Sequence, residues 1–195
     1  MIRKATRADK EAVIHILSDS FDRNPAVNDT ILSDRKRTHR IRALMDYVFE
    51  TGFSRNGVFV NDRLTCTAVI YDPVESGSYF GDFLQQLRLI HRSVGWKRLS
   101  YILHKDKRMR SYRPATPHLY LQMIGVDPAD QGRGAGSEML EFIWQLSVKE
   151  NKPVYLETSA PKNVEIYIRK GYELYDEWKV REGYEVRFLR LQKNS

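Results

Sequence analysis

The run His118–Gly136, HLYLQMIGVDPADQGRGAG, decides how this chain is to be read. Its first half is apolar (Leu119, Tyr120, Leu121, Met123, Ile124, Val126), as in a strand buried within a sheet. Asp127-Pro128 stops it, because proline has no N–H to give to a ladder. Gln131-Gly132-Arg133-Gly134-Ala135-Gly136 then leads into a helical pattern carried by Met139, Leu140, Ile143, Trp144 and Leu146. Three glycines leave the N–H groups at the helix start uncovered. Such a start joins several oriented donors to the positive end of the helix dipole, which suits a phosphate-bearing cofactor.

Spacing narrows the choice of cofactor. A P-loop needs Lys and then Ser or Thr after its last glycine, whereas Gly136 is followed by Ser137-Glu138. The dinucleotide fingerprint G-x-G-x-x-G does not fit G-x-G-x-G, and the unit lies far from the N-terminus where that fold begins. What remains is Q-x-x-G-x-G. Downstream, Val154–Ser159 reads as a second short strand and Pro161–Lys170 as a short helix, with proline where its missing N–H does no harm. That helix carries Asn163 and Tyr167 and runs into Gly171-Tyr172.

Together, V-D-P-x-x-Q-G-R-G-x-G and L-E-T-S-A-P-x-N-x-x-x-Y-x-R-x-G resemble the GNAT superfamily of N-acetyltransferases, and within it the puromycin acetyltransferase branch. The resemblance implies an α/β fold: a mixed, mostly antiparallel sheet splayed between its fourth and fifth strands, with helices on both faces. It implies acetyl-CoA as co-substrate, no metal, and a small-molecule primary amine as acceptor. Gln131, Gly132, Arg133, Gly134, Ala135, Gly136 and Ser137 would hold the pyrophosphate through backbone N–H groups. Ile124, Gly125 and Val126 would pair with the pantetheine amides like an added strand. Asn163 matches the asparagine that bonds the pantetheine arm or a site water, although Asn is also an ordinary helix cap. Arg133 would either offset phosphate charge or point to solvent.

The chemistry of acetyl transfer sets the remaining roles. An alkylamine with a pKa of about 10.4 is almost wholly protonated at neutral pH, so the site must remove a proton. It must also polarise the thioester carbonyl, for which a strand N–H suffices. Tyr167 matches the tyrosine that protonates the departing thiolate. Many relatives carry a Glu on the strand before the pyrophosphate loop, but this chain has Gln122, which cannot accept a proton. Glu157 on the next strand is the best remaining carboxylate, as a general base or as a structural charge. His118 and Asp127 are weaker candidates at element ends. With an acceptor of low pKa, water reached through Gln122 would suffice.

The remaining sequence is consistent with one domain over residues 1–195. Met1–Ala5 reads as a strand, and Thr6 with Asp9 as a capping box opening a helix through Val13, Ile16, Leu17 and Phe21. A second helix is expected from Asp34, carrying Ile41, Leu44, Met45, Val48 and Phe49. Gly57–Val60 and Leu64–Tyr71 form a hairpin, and Tyr172–Trp178 with Tyr184–Phe188 a final one. Cys66 is the only cysteine, so no intramolecular disulfide forms, and its place in a strand predicts a packing role. No run approaches the roughly 20 apolar residues that span a bilayer, and no signal-peptide h-region is present. A cytoplasmic setting is expected, and the sequence leaves open a homodimer.

One segment exceeds a minimal acetyltransferase, a helical basic insertion over about residues 72–117. Phe80, Phe83, Leu84, Leu87, Ile90 and Val94 recur at helical spacing, and Trp96, Leu99 and Leu103 suggest a second helix. Arg88–Arg113 holds nine Lys/Arg against one acid, Asp106, a net +8 that exceeds the chain's +7. The segment reads as a solvated polar face, as a lid selecting an anionic acceptor, or as a patch for nucleic acid or acidic membrane. Stacking aromatics are few there (Trp96, Tyr101, Tyr112), which argues against nucleic acid. Three functions stay open: a small-molecule N-acetyltransferase, a protein or peptide N-acetyltransferase, and a weakly catalytic acyl-CoA-binding domain whose basic insertion binds nucleic acid or a partner.

Overall fold

The computed structural model describes residues 1–75 and 99–192. Its seven-stranded sheet has the order β1-β2-β3-β4-β5-β7-β6. The strands are β1 (Ile2–Lys4), β2 (Val58–Asn61), β3 (Cys66–Tyr71), β4 (Leu119–Val126), β5 (Val154–Thr158), β6 (Glu173–Arg181) and β7 (Tyr184–Leu191). Only β4 and β5 run parallel; every other neighbouring pair is antiparallel.

Alternation along the strands divides the core between two faces. Val58, Val60 and Val69 pack under α1 (Lys10–Ser20) and α3 (Arg37–Phe53), against Val13, Leu17, Met45 and Phe49. Phe59, Ala68, Ile70 and Leu156 face the other way, onto Met139, Leu140 and Ile143 of α5 (Ala135–Glu150). Cys66 is fully buried there, and burial, helped by Glu138, pushes its thiol up to about 12. It packs rather than reacts.

Between α1 and α3 lies a helix that the sequence reading did not include, α2 (Pro25–Thr30). At six residues it is too short for a periodic pattern. Asn24 starts it, with Oδ1 accepting from Ala26 N at 2.9 Å and Val27 N at 3.4 Å, and Pro25 occupies the first turn. The Thr6–Asp9 pairing is present but opens a short 3-10 turn, Arg7–Asp9, that runs into α1. Asp9 also takes two bonds from Arg3, at 2.8 and 2.9 Å, which ties β1 to that turn.

Of the insertion, the described parts are residues 72–75, α4 (Leu99–Ser111) and the segment leading to β4. The helix expected through Phe80, Phe83, Leu84, Leu87, Ile90 and Val94, together with Trp96, lies outside the described residues. Helix α4 is docked by a buried ion pair: Lys105 Nζ lies 2.7 Å from Asp29 Oδ2 of α2. Tyr101 donates to the same oxygen at 2.8 Å, and Arg181 Nε lies 3.2 Å from Oδ1. Asp29 and Lys105 are 2% and 6% exposed, so Lys105 belongs to the interior and not to a solvated basic face. Burial opposes the charge of Asp29, but Lys105, Tyr101 and Arg181 together hold its carboxyl below the usual range.

Candidate active site

Strands β4 and β5 pair only at Leu119↔Val154 and Tyr120↔Tyr155, then part. A bulge begins the parting: Ile70 of β3 faces Leu121 and Val69 faces Met123, leaving Gln122 without an opposite residue. Beyond the bulge the ladder phase is fixed by Asp127 N donating to Thr65 O at 2.8 Å. Alternation then turns the N–H and C=O of Ile124 and Val126 away from β3, into the splay. Val126 O faces that way, where it accepts from Ser20 Oγ at 2.7 Å and from Gln131 Nε2 at 3.4 Å. Gly125 lets α1 approach β4, since a Cβ there would meet Leu17 and Ser20 at 3.1 Å. The Ser20 contact spans 106 residues and had no mark in the sequence.

The glycine turn follows directly. Asp127 Oδ1 accepts from Ala129 N at 2.9 Å and caps a 3-10 turn, Pro128–Asp130, which gives this carboxylate a structural task. Gly132 and Gly134 then take φ of +78° and +92°, a region that L side chains rarely enter. Gly134 is the N-cap of α5 and brings no capping side chain, so the first N–H groups of the helix stay uncovered. A Cβ at either glycine would meet nothing within 4 Å, leaving room for a ligand close to the backbone. Arg133 is exposed and pairs with Asp130 at 3.2 Å.

Above the splay lies a cavity of about 310 Å³, lined by Gln122, Ile124, Glu157, Asn163 and Tyr167 among others. These come from β4, β5 and α6 (Pro161–Arg169). Ala160 is the N-cap of α6, so Asn163 sits inside the first turn and the capping alternative is not realised. Gly171, at φ +86°, ends the helix, and Tyr172 N reaches back to Tyr167 O at 3.0 Å. That turn stacks the two tyrosine rings edge to face at 5.3 Å, fixing Tyr167 on the cleft side. Burial alone pushes the Tyr167 phenol well above its ordinary range, so it stays protonated. Gln122 Oε1 is buried without a hydrogen bond among the described residues.

Glu157 is held by two groups that sequence reasoning did not pick out. Its Oε1 accepts from Tyr120 Oη at 2.6 Å and from Arg113 Nη2 at 2.8 Å. The Arg113 guanidinium also stacks over the Tyr120 ring at 3.6 Å. Burial disfavours the Arg113 charge, but Tyr120 and Glu157 outweigh it and hold the group above its usual range. Burial keeps Tyr120 a neutral donor. His118 lies outside this cavity, its Nδ1 2.8 Å from Thr116 O and its ring against Tyr155, and burial lowers its pKa. Ile102, Met109 and Arg110 of α4 close the far side, so the insertion forms a wall of the cavity. Among the described residues no three His, Cys, Asp or Glu side chains gather as a metal site, and no helix is long and apolar enough to cross a membrane.

No protein-family model matches the chain. Solved structures do, over nearly all of it. A structure from Corynebacterium glutamicum described as histone acetyltransferase HPA2 and related acetyltransferase superposes with a TM-score of 0.72 at 17% identity, covering 100% of this chain and 97% of that one. This is the GNAT acetyltransferase fold. Arylalkylamine N-acetyltransferase 2 from Aedes aegypti matches this GNAT fold with a TM-score of 0.67 at 11% identity, covering 97% of each chain. The polyamine N-acetyltransferase of Drosophila melanogaster matches with a TM-score of 0.65 at 14% identity, covering 99% of each.

Proposed function

We propose that the protein is an acetyl-CoA-dependent N-acetyltransferase that acylates a primary amine of a small molecule by direct attack in a ternary complex. The observation that carries this reading is the splay itself: backbone groups of Ile124 and Val126 that pair with no strand line its edge, Val126 O taking side-chain donors instead, and an uncapped glycine turn lies at its end. A pantetheine arm would add to that edge as a strand does, and a pyrophosphate would meet the N–H groups of Gly132–Ser137. Motif kinship to the puromycin acetyltransferase branch, and neighbours named for arylalkylamines and polyamines, favour a small acceptor. The α4 wall favours it over a peptide, which needs an open groove. A cytoplasmic setting and a single 1–195 domain belong to the same reading.

Acetyl-CoA supplies the activated acetyl group. An N–H that β4 turns into the splay, such as that of Ile124, polarises the thioester carbonyl. As the amine nitrogen bonds to the carbonyl carbon and the C–S bond breaks, the ammonium proton leaves to Glu157 or to water at Gln122. Tyr167 gives a hydrogen bond, and finally a proton, to the departing sulfur. Asn163 bonds the pantetheine arm or a site water. The deciding experiment pairs calorimetry with CoA and thiol release from acetyl-CoA across amines, amino acids and peptides. Micromolar CoA binding with amine-dependent thiol release supports the reading, and absence of both refutes it.

A further inference from the structure

Two donors converge on one oxygen of Glu157. Tyr120 Oη and Arg113 Nη2 both reach Oε1, at 2.6 and 2.8 Å, while Oε2 takes no hydrogen bond among the described residues. An arginine beside a carboxylate commonly offers its fork to both oxygens. Here the guanidinium lies over the Tyr120 ring at 3.6 Å and gives the carboxylate Nη2 alone. Its Nε is buried and bonds to nothing among the described residues. The two-point pairing is forgone, and one oxygen is left open on a side chain that lines the cavity.

Arg113 reaches Glu157 from a segment that is itself pinned. Tyr175 Oη of β6 donates to Tyr112 O at 3.0 Å, and the Tyr112 ring stacks on Phe188 of β7 at 4.1 Å. Phe188 is the cross-strand partner of Glu157. Residues 112 and 113 are thus tied to the same strand pair that carries the carboxylate. Arg113 does not line the cavity, so whatever it does there it does through Glu157. Its charge persists at any working pH.

Building on the acetyltransferase reading, we propose that Arg113 is a positioning residue: with Tyr120 it occupies Oε1 of Glu157 and so presents Oε2 to the acceptor nitrogen as the atom that takes the proton. Acylation of an ammonium releases one net proton, and Oε2 is where that proton first lands before it passes to water. The second proton that the nitrogen sheds balances the one Tyr167 gives to sulfur. The part of the insertion that carries Arg113 therefore sets the aim of the base without touching the substrate.

The test follows thiol release from acetyl-CoA with phenethylamine, putrescine and glycinamide as probe amines. Arg113→Met should lower kcat by about 10–100-fold, while the amine KM and the CoA affinity change less than about threefold. The ascending limb of kcat/KM against pH should move up by about one unit or more, because a buried carboxylate that loses a neighbouring cation holds its proton harder. In a Glu157→Gln background Arg113→Met should change kcat less than about twofold, since the group it acts through is already gone. Arg113→Lys keeps the charge, so the limb should stay within about half a unit of the parent, while kcat falls several-fold without the planar stack. If Arg113→Met does not fold, Arg113→Lys and Tyr120→Phe decide. Tyr120→Phe keeps the stack, removes one donor from Oε1 and should lower kcat about three- to tenfold at unchanged KM. Parental kcat and pH limb in folded Arg113→Met, an equal loss of kcat with and without Glu157, or parental kcat in both milder variants overturns the positioning role. Absence of thiol release by the wild-type protein with every probe fails differently, since it removes the acetyltransferase reading and this inference with it.

Discussion

Arg113 Nη2 and Glu157 Oε1 lie 2.8 Å apart, which joins the segment after α4 directly to the strand that borders the splay. Both side chains are nearly buried, at 12% and 11% exposed. The insertion is therefore coupled to the candidate chemistry and is not an appendage beside it.

Replacing Glu157 by Gln keeps the size of the side chain but removes its charge. Turnover should fall by about 10²-fold if the carboxylate takes the proton, at the low end for a positioned base. Stability should fall too, by about 3 kcal/mol, because Arg113 would keep a buried charge without its partner. Steady-state kinetics and urea unfolding of Glu157→Gln measure the two effects separately. Unchanged kcat with lowered stability would assign Glu157 a structural role only.

Gly134→Val should weaken CoA binding at least tenfold by calorimetry. The site has space for a side chain, so the cause is backbone conformation: φ of +92° costs a β-branched residue about 1–2 kcal/mol. Relaxing that strain would redirect the N–H groups that face the pyrophosphate. The fold should persist, and equal CoA affinity in a folded variant would remove the turn from cofactor binding.

Tyr167→Phe keeps the ring against Tyr172 and removes one hydroxyl. Stability and CoA affinity should change little, while kcat should drop by about 10²-fold, the lower end of the range for a positioned acid. The lower end is expected because burial, which no cation among the described residues offsets, makes this phenol a reluctant proton donor. Wild-type turnover in the folded variant would leave Tyr167 a packing residue.

Lys105→Glu should destabilise the protein by about 3–5 kcal/mol, since it sets two carboxylates together in the interior. The exposed cations Lys107 and Arg108 are the proper probes of nucleic-acid binding by α4. No sub-micromolar binding to DNA or RNA is expected at about 0.15 M salt. Tight binding that is lost on reversing Lys107 and Arg108 would contradict this.

The Arg3–Asp9 pair predicts an acid-sensitive contribution to stability. Arg3, opposed by burial and assisted by Thr6, holds the Asp9 carboxyl far below the usual carboxylate range. A depressed folded pKa stabilises the protein above the unfolded value of about 3.9, and this contribution is lost as the pH falls towards the folded value. Asp9→Asn should therefore lower the urea midpoint at pH 7, with the gap from the parent narrowing below about pH 4.

What the sequence disclosed was set by how local each constraint is. Pro128, Gly132 and Gly134 act on their own backbone, so the strand, turn and helix from Leu119 to Glu150 could be read directly. Pro161 and Gly171 bracket α6 in the same way and so place Tyr167. The bulge at Gln122 depends on the register of β3, which no local pattern encodes. Arg113 meets Glu157 across 44 residues, and Lys105 meets Asp29 across 76. A lysine buried by a distant aspartate looks, in sequence, like any other member of a basic run. Asn24-Pro25 did carry a readable cap signal for α2, a helix whose brevity hid it.

Strand β7 lies between β5 and β6 although it follows both along the chain. During synthesis, β5 therefore has a strand neighbour at only two positions, Val154 and Tyr155, until the chain reaches Arg187–Leu191. Tyr184 and Val186, which border the cavity, emerge in that same late stretch. The cleft cannot assemble progressively from the N-terminus, as a string of local units would. A nascent chain halted between Gly171 and the start of β7 carries every residue assigned to chemistry and still has no place to perform it.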